Sequence, residues 1–133
     1  MYKNILAGLS KIEKEAQFLR KTWLPWYGGV ILPSEATRAV ATCSIINAVG
    51  ILDEALALFI NTNYAPTARK VDTLQKKIDY IFSNAGKIDS KTLHKIREIH
   101  NSYAHEADKY GTWDELDYVI SQIRAELNKL GIC

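Results

Sequence analysis

Hydrophobic positions along this chain recur at intervals of three and four from one end to the other, which is the spacing of helices with one buried face. Ile5, Leu9, Ile12, Ala16, Leu19 and Trp23 form the first stripe, with Lys11, Glu13, Lys14 and Arg20 off it. Pro25 and the pair Gly28-Gly29 are expected to end that helix. The connection down to Pro33 then carries Trp26, Tyr27, Val30, Ile31 and Leu32. A loop this apolar reads as a flap packed over the end of a bundle, or as a docking surface for a second subunit.

Ser34 is expected to cap a second helix, with Glu35 in its first turn and an end near Thr62. Apolar residues such as Val40, Ile45, Ile46, Val49, Leu52, Leu56 and Phe59 surround nearly all of it, so it should be the central helix. Beyond Glu35, only Arg38, Asp53 and Glu54 carry charge along it, and no geometry in the sequence assigns Asp53 and Glu54 a role. A polar break at residues 61–66 precedes a third stripe, Val71, Leu74, Ile78 and Ile81, which stops at Asn84-Ala85-Gly86. Asp89 or Ser90 caps the fourth helix. Thr112-Trp113-Asp114-Glu115 is a capping box for the last one, whose stripe is Leu116, Val119, Ile120, Ile123, Leu127 and Leu130 before Gly131. The pattern predicts an all-α, up-and-down bundle of four to five helices, with residues 1–133 forming one domain.

Composition sets the setting. A chain of 133 residues can bury a real core without disulfides or metal. Cys43 and Cys133 do not make a disulfide framework, which points to a reduced, cytoplasmic environment. The opening MYKNILAGLSKIEKE is too polar for a secretory signal. The longest apolar run, Thr42 to Ile60, contains Asp53 and Glu54 and reads as a buried helix, with no membrane partner. The net charge of +2 is unevenly spread. Arg69, Lys70, Lys76, Lys77, Lys87, Lys91, Lys95 and Arg97 outnumber Asp72, Asp79 and Asp89, and from Glu98 onward acids dominate. A basic strip of this kind fits a phosphate backbone, and fits ordinary solvated helix faces equally well.

Chemistry concentrates in LHKIREIHNSYAHEAD, residues 93–108, which holds all 3 histidines. At roughly 100° per residue, His94, Arg97, Asn101 and His105 share one side of a helix, whereas His100 points into the apolar side. A solvated polar face and a core histidine give the same pattern. The run Ile99-His100-Asn101-Ser102-Tyr103-Ala104-His105 also resembles the signature of HEPN domains, small helical proteins marked by Arg, often a following Asn or other polar residue, and His after a short gap. Asn101 and His105 match that pattern; His100 stands at the Arg position.

The resemblance implies a metal-independent endoribonuclease acting as a homodimer on RNA, with the motif residues converging between protomers. It also implies a toxin–antitoxin or phage-defence setting and a small nucleotidyltransferase-type antitoxin as partner. His105 would be the acid or base and Asn101 would position the phosphate. The missing cation falls to Arg97, on the same face one turn earlier but more widely spaced from His105 than the family pattern, or to His100. Arg97 is always charged and grips phosphate with two bonds; His100 on an apolar side would tend toward neutrality. A catalytically silent module that binds RNA or protein, or a structural bundle, is the alternative. No cofactor is expected: no His-x-x-x-His spacing occurs, His100 and His105 diverge by roughly 140°, and no glycine-rich phosphate loop follows a strand.

Overall fold

The computed structural model describes residues 2–27, 31–64, 71–105 and 111–132, with backbone alone at 20–27, 31–37 and 105. Five helices follow in order: α1 Lys3–Tyr27, α2 Ile31–Asn63, α3 Leu74–Ala85, α4 Ser90–His105 and α5 Trp113–Lys129. The architecture is an all-α bundle, and each helix packs on the next in the chain. α2 also packs against α4 and α5, so it touches all four others. Its apolar circumference explains this: Ile45, Val49, Leu52, Leu56 and Ile60 are buried on it, and no single exposed face has to be kept polar. One cluster joins them to Leu9 of α1, Ile78 and Ile81 of α3, Leu93 and Ile96 of α4, and Leu116, Ile123 and Leu127 of α5. By length and composition Arg38–Asn63, within which an 18-residue window has mean hydropathy 1.8, is also apolar enough to cross a membrane, a test that the core helix of a bundle passes too.

The first connection is shorter than the pattern suggested. α1 runs through Pro25 to Tyr27, and α2 begins at Ile31, so Ser34 lies inside a helix and is not its cap. Pro33 fits there because the N–H groups of a helix's first turn have no intrahelical partner to lose. Trp26, Tyr27, Ile31 and Leu32 therefore belong to helix ends rather than to a loop. Their side chains, Val30 and the glycine pair are outside the described residues, and so is the docking surface expected of them.

Capping sets the remaining ends. Thr73 accepts from Lys76 N–H at the start of α3, so Val71 lies ahead of that helix, half-buried. Gly86 closes α3 at φ 66°, a left-handed conformation that glycine takes without a Cβ penalty. Asp89 receives the Thr92 N–H and hydroxyl, and Thr112 receives Glu115 N–H, as the sequence indicates for α4 and α5. The Glu115 carboxylate turns to the Tyr103 hydroxyl. Burial, and then this bond, push the Tyr103 phenol well above its ordinary value. At the opposite end of α4, Glu126 of α5 accepts the Asp89 N–H at 2.8 Å. The two contacts run α4 antiparallel to α5 and fix it at both ends.

Candidate functional site

α4 meets α2 across a gap left by a glycine. Gly50 stands on the α2 surface, and a Cβ built there would have no atom within 4 Å. The space continues as a pocket of about 310 Å³ between α2, the start of α3 and α4. Val49, Gly50 and Asp53 supply one wall, Thr73, Leu74 and Gln75 a second, and Arg97, His100 and Asn101 the third. Three of the four residues singled out in the sequence thus reach one cavity. His105 is the last residue of α4, and its side chain is outside the described residues.

His100 differs from its expectation. The helix angle aims it at the apolar side, yet it is half-buried and lines the pocket rather than being enclosed in the core. Its Nδ1 lies 3.4 Å from Asn101 Oδ1, a long hydrogen bond. An amide oxygen only accepts, so the imidazole proton belongs on Nδ1 and the lone pair on Nε2.

Arg97 is held by a chain of contacts that the sequence did not signal. Its Nε donates to His94 Nδ1 at 3.3 Å, and His94 Nε2 lies 2.8 Å from Asp79 Oδ1 on α3. Nδ1 accepts from arginine, which places the ring proton of this arrangement on Nε2, facing Asp79. An Nε bond leaves the terminal nitrogens of the guanidinium for an anion. Fifteen residues separate Asp79 from His94, and only the packing of α3 on α4 brings them together.

Asp53, left without a role by the sequence, lines the pocket and accepts from Lys77 Nζ at 2.6 Å. That ion pair offsets a carboxylate that would otherwise repel a phosphate. Lys77 is accordingly 13% exposed rather than part of a solvated strip. Others of the strip also have local partners. Lys76 bonds Asp72 at 3.1 Å, holding that carboxyl below the usual range, and Lys95 Nζ sits 5.2 Å from the centre of the Tyr118 ring. Arg69 and Lys70 are outside the described residues. The excess of basic residues in this part of the sequence therefore overstates the charge available to a ligand.

A slightly larger hollow, about 320 Å³, lies between α1 and α5. Its arginine, Arg124, already bonds Glu13 and Ser10, so it is the weaker candidate. Cys43 is exposed on α2. Among the described residues no group of three or more His, Cys, Asp or Glu side chains could hold a metal ion.

No family model, curated protein or solved structure matches this chain.

Proposed function

We propose that this chain is a metal-independent endoribonuclease working from the Arg97, His100 and Asn101 face of α4. The observation that carries the reading is the shared pocket: a fixed guanidinium, an imidazole and an amide line one cavity. Arg97 binds the scissile phosphate and offsets the charge that builds on it. His100 Nε2 removes the 2′-OH proton, and Asn101 holds the tautomer that makes this nitrogen basic. The 2′-oxygen then bonds to phosphorus as the bond to the 5′-oxygen breaks. His105, the motif histidine, protonates that oxygen. The products are a 2′,3′-cyclic phosphate and a 5′-hydroxyl. The HEPN resemblance extends the reading to a cytosolic homodimer restrained by a nucleotidyltransferase-type partner.

A silent RNA-binding module is the second reading, favoured by one departure: His100 stands where the HEPN pattern has Arg. Incubating mixed RNA in EDTA with the native chain and with Arg97→Ala, His100→Ala and His105→Ala tests both. The ribonuclease reading expects cyclic-phosphate ends and losses of about 100-fold or more in each variant. Equal cleavage by all four proteins sinks it. No cleavage, with salt-sensitive RNA retention that Arg97→Ala weakens, moves the assignment to the binding module.

A further inference from the structure

We infer that His94 and Asp79 are positioning residues, which aim the Arg97 guanidinium into the pocket for an anionic group. The inference rests on the phosphate-binding reading of that pocket and adds residues to which the motif resemblance gives no role. An arginine on a helix surface samples many rotamers, and fixing it costs entropy at the moment a ligand binds. Here that cost is met in advance. The Arg97 Nε bond to His94 Nδ1 fixes the plane of the fork, and the His94 bond to Asp79 fixes the ring that fixes the fork. Asp79 belongs to α3, whose first turn forms a wall of the same cavity. The relay therefore ties the orientation of the cation to the seating of the helix beside it.

The chemistry of His94 sets the demand. The residue must accept on the side of Arg97 and donate on the side of Asp79, which neutral histidine does with two ring nitrogens. Glutamine is the closest substitute, since its amide has one acceptor and one donor. Alanine offers neither. Asp79 is 59% exposed and acts at one remove, so its loss should be felt less than that of His94.

The test follows the Arg97 Nε–H signal in ¹H–¹⁵N spectra of the full chain, assigned by its absence in Arg97→Lys, during titration with inorganic phosphate. In the native protein this proton should exchange slowly with water. In His94→Ala it should be lost to solvent exchange and phosphate should bind about tenfold more weakly, the loss expected for one hydrogen bond. His94→Gln should restore the signal and most of the affinity. Asp79→Ala should fall between, and it decides the matter if His94→Ala does not fold. An unchanged Arg97 signal in His94→Ala, or equal behaviour of His94→Gln and His94→Ala, overturns the inference. If the native chain binds no phosphate, the anion reading of the pocket fails, while the Arg97 signal still judges the hold of His94. RNA cleavage enters neither arm.

Discussion

Glu126 is 2% exposed, yet it is a carboxylate. It persists in the interior because both oxygens are used: Oε2 accepts the Asp89 N–H and Oε1 accepts Lys129 Nζ, each at 2.8 Å. Its loss removes a charge-assisted bond from the part-buried Asp89 N–H, so Glu126→Ala should cost about 1.5–3 kcal/mol, measured by urea unfolding. Asp89 makes a different prediction. The Thr92 hydroxyl and N–H hold its carboxyl below the ordinary value, so folding favours the charged form. That contribution is complete above the ordinary carboxylate range and is lost as pH falls through the lowered one. Asp89→Asn should flatten the decline of stability on the acid side and leave the slope at neutral pH unchanged, read from denaturant midpoints across pH. At this scale the sequence was legible only where partners are near neighbours. Thr92 lies a turn from Asp89 and could be anticipated, whereas Glu126, Asp79 and Asp53 find their partners through tertiary packing that no spacing encodes.

Helix ends were legible at Gly86 and Thr112, whereas α3 starts after Thr73 and leaves out Val71, which the hydrophobic stripe includes. Thr73 and Thr112 hold the starts of α3 and α5, and Gly86 takes the left-handed turn that only its lack of a Cβ makes easy. The boundary between α1 and α2 departs from the pattern on both sides: α1 continues two residues past Pro25, and Pro33 stands in the first turn of α2, where proline loses no intrahelical bond, which puts Ser34 inside the helix. Gly50 shows the opposite case. It sits inside α2, where glycine weakens a helix, and it leaves room at the pocket. Gly50→Ala meets no atom within 4 Å and should raise stability by about 0.5–1 kcal/mol, seen as a higher thermal midpoint. Gly50 and His100 line the same cavity, a juxtaposition across two helices that no spacing in the sequence encodes.

The bundle itself followed from pattern, because five stripes and one helix apolar all round have few other ways to hide from water. Which helices share a cavity did not follow, since that depends on how α3 and α4 lie against α2. α4 is pinned to α5 by Glu126 at its start and by Glu115 at its end, so the helix bearing the candidate site is a fixed strut. α3, a helix of 12 residues, rests chiefly on α2 and α4. Local opening should therefore be unequal, with amides of α3 trading protons for deuterons well before those at the middle of α4. Exchange measured by mass spectrometry would show it, and similar rates in both helices would contradict it. A guest too large for the cavity would then be seated by displacing α3, which would draw Asp79 away from His94: making room and the aim of the cation would be one motion.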